Sequence, residues 1–79
     1  MEIEAKIGIR IKFLRLEKNM SQKDLAYLAD LDRSYIASVE KGQRNISIVN
    51  IEKIAFALSL SIKEFFNDAE FNEYSKRAN

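Results

Sequence analysis

A serine or aspartate stands directly before each of four apolar-rich runs. Ser21 precedes "QKDLAYLA", Asp32 precedes "RSYIASVE", Ser47 precedes "IVNIEKIAFAL" and Ser61 precedes "IKEFF". Within the runs the apolar residues recur three and four positions apart, the period of an α-helix. A short polar side chain just ahead of a helix accepts a hydrogen bond from an otherwise unpaired backbone N–H, so cap and period together mark helix starts. The 79 residues contain no proline and two glycines, and strand-like alternation never lasts more than a few positions. The pattern predicts a compact all-α domain of five short helices.

The first helix is expected from about Glu4 to Lys18, with Ile7, Ile11 and Leu14 as its inner stripe and Ile3 extending it. Gly8 within it costs about 1 kcal/mol relative to alanine, which implies a close packing contact there. Asn19 is a suitable stop, because asparagine tolerates the left-handed conformation that closes a helix. Ser21 and Asp24 form a capping box for the second helix, whose buried side is Leu25, Ala26, Leu28 and Ala29. A turn at Asp30-Leu31 leads to the third helix, capped by Asp32 and ending at Gly42. After the polar loop "QRN" comes a fourth helix with Ile48, Ile51, Ile54, Ala55 and Leu58 on one face. The fifth is short and carries Ile62, Phe65 and Phe66. One domain over 1–79 is expected, with its core in 4–66. Residues 67–79 form a polar tail, in which Phe71 and Tyr74 could extend a helix.

There is no cysteine and no histidine. This removes thiolate metal sites, disulfides, and nucleophilic or acid–base chemistry that depends on histidine. No carboxylates or lysines stand at a spacing that suggests a site, so neither enzyme activity nor a cofactor or metal is expected. No stretch approaches the ~20 apolar residues of a bilayer span. The first residues are charged and lack a signal-like apolar run, so a cytoplasmic protein is expected. The formal net charge is +1, but residues 1–44 carry nine Lys/Arg against seven Asp/Glu, and residues 45–79 carry four against five. Any nucleic-acid binding must therefore rest on a focused contact set rather than on bulk charge.

The third helix has two unlike faces. Ile36 and Val39 look inward, whereas Arg33, Ser34, Ala37, Ser38 and Lys41 make a polar stripe. Two helices joined by about three residues cross steeply and need a small residue where they touch, here Ala26. That leaves the stripe on an exposed ridge of the width that fits the DNA major groove, with side chains near the helix start reaching base edges. Arg33 can donate two bonds to guanine, Ser34 and Ser38 can donate or accept, and Ala37 is small enough to admit a thymine methyl. Gln22 lies on the first turn of the second helix, where free N–H groups favour an anion. Tyr35 can offer its hydroxyl from the flank, and Arg44, Asn45 and Ser47 cluster at the next loop. Each of these alone is as consistent with an ordinary solvated surface or a simple cap; it is their meeting at one helix pair that points to DNA.

The segment "MSQKDLAYLADLDRSYIASVEKGQRNISIVNIEKIAFAL" resembles the helix-turn-helix domain of the lambda-repressor and Cro class of bacterial regulators. With the leading "IGIRIKFLRLEKN", the resemblance covers roughly residues 7–66. "DRSYIASVEKGQRNIS" is especially similar to the small controller proteins of restriction-modification systems, which are dimeric autoregulators. The resemblance implies a five-helix fold with its helix-turn-helix at the second and third helices. It implies base reading by Arg33, Ser34 and Ser38, and phosphate contacts by Gln22, Tyr35, Arg44, Asn45 and Ser47. It also implies a structural ion pair between Arg15 and Glu40. Asp30 and Asn19 stand where the family often has glycine, so those turns are expected to carry slight strain.

A single recognition helix covers few base pairs, and members of this family bind near-palindromic sites as two-fold dimers. Ile62, Phe65 and Phe66 are the candidate dimer residues. Both rings cannot easily point inward from a short helix, so one should pack inside while the other joins Ile62 and residues late in the fourth helix in an apolar patch. The expected partners are double-stranded DNA and a second copy of the chain, with RNA polymerase a further candidate and no membrane. An antitoxin or phage-type repressor would share this fold. A helical protein-interaction adaptor is the alternative from another class.

Overall fold

The structure, a computed structural model, describes residues 2–72. Among the described residues are five α-helices, α1 (Ile3–Glu17), α2 (Gln22–Ala29), α3 (Arg33–Glu40), α4 (Ile48–Ala57) and α5 (Ile62–Phe65). A single 3-10 turn, Ala69–Phe71, follows them, and no strand is present among these residues. The all-helical expectation is met. The boundaries of α1 fall one residue before those read from the pattern, at both ends. Tyr74 lies outside the described residues.

Three of the connections use one turn. Asn19, Asp30 and Ser59 take φ of 56°, 57° and 61°. The next residue, Met20, Leu31 or Leu60, donates its N–H back to the helix just ended, onto Arg15, Ala26 and Ala55 carbonyls at 3.1, 2.9 and 2.9 Å. These paired closures satisfy carbonyls that a helix end leaves open, and the following apolar residue folds inward over the last turn. A cap residue then starts the next helix at once. Ser21 and Ser61 each complete a reciprocal box with Asp24 and Glu64. Asp32 occupies the cap position of α3, but its side chain makes no cap bond; the exposed carboxylate is left to water.

The core is built from Ile7, Ile11 and Leu14 of α1, Leu25, Ala26 and Ala29 of α2, and Ile36 and Val39 of α3. Ile51, Ile54, Ala55 and Leu58 complete it from the α4 side, with Phe65 of α5. Helix α1 packs on α3, α2 on both α3 and α4, and α4 on α5. Gly8 sits where α1 meets the end of α3. A Cβ there would collide with the Val39 carbonyl oxygen and lie 2.8 Å from that of Glu40. The close contact inferred from this glycine is present.

Three expected core residues are exposed instead. Ile3 is the first residue of α1 and lies beyond the layer that covers Ile7 and Ile11. Leu28 is rotated off the arc shared by Leu25, Ala26 and Ala29, and is 54% exposed. Ile48, at the first position of α4, is 66% exposed because the chain has not yet entered the packed layer.

Candidate nucleic-acid interface

Helix α3 is fixed from below and at its end. Ile36 and Val39 are buried in the core. At the C-terminal end, Arg15 donates from Nε to Glu40 Oε2 at 2.7 Å and from Nη2 to Oε1 at 3.0 Å, while its Nη1 reaches the Met20 carbonyl at 2.8 Å. Two parallel bonds between planar groups fix orientation as well as distance. The bonds to Glu40 hold the Arg15 pKa above its ordinary value, against the opposing pull of burial. Gln22 Nε2 adds a donor to Glu40 Oε1 at 3.2 Å, so the first turn of α2 joins the same network. With its end locked, α3 has one face left to solvent.

That face carries the stripe. Arg33 and Ser34 are exposed on the first turn, and Ala37 and Ser38 follow, half-buried, one turn later. On the flank, the Arg44 guanidinium lies over the Tyr35 ring, 5.4 Å from its centroid. Asn50 Nδ2 donates to the Tyr35 hydroxyl at 3.0 Å. Ser47 caps α4 by accepting from the Asn50 backbone N–H at 3.1 Å, and Asn45 is exposed in the loop before it. The structure thus gathers Tyr35, Arg44 and Ser47 around one side of α3, and it ties Gln22 into the Arg15–Glu40 network. Neutral donors and one cation converge here on open solvent, an arrangement able to hold an anion beside a helix that presents hydrogen-bonding side chains.

Two residues escaped sequence reasoning. Asn50 stands three positions after the Ser47 cap, where a capping box would hold glutamate or glutamine. That substitution is the one available sign that its side chain bonds elsewhere. Arg10 donates from Nε to the Phe65 carbonyl at 2.7 Å and from Nη2 to the Glu64 carbonyl at 3.1 Å, with Asp68 3.6 Å from its Nη1. Nothing in the spacing links positions 54 and 55 residues apart.

The proposed dimer residues separate. Phe65 is fully buried, so it belongs to the core and offers no surface. Phe66 is half-buried, edge-on to both Phe65 and Phe71 at 5.0 Å. Ile62 lines a shallow concavity of about 200 Å³ with Ile48, Val49 and Glu52. The apolar neighbours of Ile62 therefore come from the start of α4. Phe56, late in that helix, lies instead beside Met20 and Leu28. Among the described residues, no group of three or more acidic, histidine or cysteine side chains could hold a metal ion, and no helix is long and apolar enough to cross a membrane.

A helix-turn-helix family model matches residues 11–65. Control protein C.MunI from a Mycoplasma species is 44% identical over 70 residues, which is 87% of this chain and 95% of that protein. The crystal structure of the restriction-modification controller protein C.AhdI from Aeromonas hydrophila superposes with a TM-score of 0.77 at 51% identity, covering 80% of this chain and 96% of that one. A tetramer of the controller C.Esp1396I in complex with its natural 35 base-pair operator gives a TM-score of 0.79 at 42% identity, over 84% of this chain and 87% of that one.

Proposed function

Because the chain belongs to the helix-turn-helix family and is similar to restriction-modification controller proteins, we propose that it is a sequence-specific DNA-binding regulator of transcription. It acts as a homodimer on a near-palindromic operator, as the autoregulatory controller of a restriction-modification system. The observation that carries this reading is the asymmetric fixing of α3: locked to α1 through Arg15 and Glu40, it leaves Arg33 and Ser34 exposed at its start. The related C.Esp1396I tetramer on its operator supports the same use of the fold.

In this reading Arg33, Ser34, Ala37 and Ser38 meet base edges in the major groove. Gln22, Tyr35, Arg44, Asn45 and Ser47 hold the flanking phosphates and set register. Two copies meet through the apolar surface around Ile62, Ile48, Val49 and Phe66, which places two recognition helices about one DNA turn apart. Side chains at a fixed helix start read sequence, whereas the modest net charge leaves little non-specific attraction.

The test is selection of bound sequences from a random duplex library at ~0.15 M salt, since affinity depends on salt, with wild type and Arg33→Ala run in parallel. A near-palindromic site from wild type, relaxed at one guanine per half-site in the variant, is expected. No enriched sequence with wild type would overturn the regulator reading and favour a protein-binding adaptor.

A further inference from the structure

Helix α5 holds four residues, Ile62–Phe65. A single helical turn does not stand alone in water, so its placement must come from what grips it. The Ser61–Glu64 box grips its start, and the buried Phe65 side chain anchors it in the core. Its end is gripped by a residue of another helix. Arg10 of α1 donates from Nε to the Phe65 carbonyl at 2.7 Å, and from Nη2 to the Glu64 and Asn67 carbonyls at 3.1 and 3.4 Å. Glu64 and Phe65 stand in the last turn, whose carbonyls a helix end leaves open.

The same guanidinium reaches past the helix. Its Nη1 lies 3.6 Å from Asp68 Oδ2, while Asp68 Oδ1 accepts from the Glu70 backbone N–H at 3.1 Å and so caps the 3-10 turn. Between the two gripped pieces stands Phe66, edge-on to Phe65 on one side and to Phe71 of the turn on the other. Its ring therefore depends on both. The Arg10 side chain is 11% exposed, which separates this arrangement from a solvated surface pair. Ile62 and Phe66 are thus presented by a segment too short to hold itself.

Resting on the reading that two copies meet through the surface around Ile62 and Phe66, we propose that Arg10 is a positioning residue for self-association: by tying the end of α5 and the following turn to α1, it holds Ile62 and Phe66 in place for a second copy. Arg10 acts through those two side chains. It raises the affinity of the copies for each other by removing an ordering step that association would otherwise impose.

Sedimentation velocity over a concentration series measures the monomer–dimer equilibrium. Circular dichroism melting confirms that each variant is folded at that temperature. Fixing one long or aromatic side chain on association costs up to about tenfold in affinity, so Arg10→Ala, which releases Ile62 and Phe66, is expected to raise the dimer Kd about tenfold or more. Asp68→Ala keeps the carbonyl bonds and should raise it about threefold, as for a partly exposed ion pair. Arg10→Lys keeps the charge but not the planar fork, and should fall between wild type and Arg10→Ala. Asp24→Ala breaks the box at α2, away from α5, and should lower the melting temperature while leaving the Kd within about twofold of wild type. In the Phe66→Ala background, Arg10→Ala should add less than it does alone, because one of the side chains it orders is gone. A duplex cut to one half-site should bind wild type and Arg10→Ala alike, since Arg15 holds α3, whereas the full site should separate them.

A folded Arg10→Ala with the wild-type Kd, an equal rise in Asp24→Ala, or an equal loss on half-site and full site would overturn the positioning role while leaving the dimer intact. Ile48→Glu puts a charge on the exposed part of the same apolar surface without touching Arg10. Self-association unchanged in Ile48→Glu, or a wild-type protein that stays monomeric, overturns that dimer surface and this inference together.

Discussion

Asp30 and Ser59 both take a left-handed φ, and each is followed by a leucine whose N–H closes back on the helix just ended. Two helices thus enter the fold by the same turn, α3 after Asp30 and α5 after Ser59, and both lie against α1 through one of its arginines. From there they diverge. Glu64 and Ser61 close the start of α5 with a full box, but no side chain caps the start of α3. Arg15 holds α3 through the side chain of Glu40, whereas Arg10 holds the end of α5 through main-chain carbonyls. A bidentate bond to a side chain fixes rotation of the helix about its axis, and that rotation decides which residues face outward. Bonds to carbonyls hold the end of α5 whatever its side chains are. The polar helix α3 is the one whose rotation is pinned, and the apolar α5 is docked by its backbone and by Phe65.

Removal of Arg15 gives the largest effect. Arg15→Ala leaves the Glu40 carboxylate, 3% exposed, without its cation, and a loss of about 3–5 kcal/mol in urea unfolding is expected. Replacing both partners, in Arg15→Met with Glu40→Leu, should cost clearly less, because no buried charge is stranded. A double variant as unstable as the single one would mean that the pair does more than orient α3. Arg10→Ala is expected to cost about 1.5–3 kcal/mol, the range for bonds made by a charged donor. Its carbonyl partners lie at a helix end, where water can replace the lost donor. Equal losses for Arg10 and Arg15 would break the distinction between side-chain and main-chain anchoring.

Much of this contrast was legible in the sequence, for local reasons. Ser21, Ser47 and Ser61 announce helix starts because a cap bond spans three residues. Asn19 and Asp30 announce stops because few side chains tolerate positive φ. Gly8 exposed a close contact because only hydrogen fits against the α3 carbonyls. Ser59 gave no such notice, since serine is common in many conformations and its turn is defined by bonds to α4 that spacing does not encode. Arg10 and Asn50 were missed because their partners come from other elements. Leu28 and Ile48 were misplaced because periodicity gives the direction of a residue but not where the neighbouring helix ends. The polar face of α3 could be named residue by residue, while the links around it, from Asn50 to Tyr35 and from Gln22 to Glu40, appear only once the helices are packed.

The unequal starts of α3 and α5 give a smaller effect. Ser61→Ala should cost about 1 kcal/mol, the usual value for a lost cap, and Asp32→Ala only a few tenths, since its side chain bonds nothing at the cap. Similar losses in thermal melts would show that Asp32 caps α3 in solution. The boxes also carry a pH signature. Bonds from the backbone and hydroxyl of Ser61 hold the Glu64 carboxyl below its ordinary value, and Ser21 does the same for Asp24. A carboxyl with a lowered folded pKa stabilises above its unfolded value and loses that contribution as pH falls through the folded one. Stability should therefore decline with acid below about pH 4, where free carboxyls titrate. Ser61→Ala should flatten part of that decline.

The turns themselves supply the smallest test. Glycine at Ser59 removes the Cβ that makes positive φ costly, roughly 1–2 kcal/mol for most side chains, but it also frees the unfolded chain by about 0.4–1 kcal/mol. Ser59→Gly should thus gain up to about 1 kcal/mol. Aspartate visits the left-handed region more readily than serine does, so Asp30→Gly should gain less, near zero. Neither substitution touches the surface beyond the turn. If the two junctions differ only in the helix they deliver, both variants should keep wild-type affinity for the selected duplex while their melting temperatures order as Ser59→Gly above Asp30→Gly. A loss of affinity confined to Asp30→Gly would show instead that the turn before α3, unlike its counterpart before α5, helps to hold the reading helix against DNA.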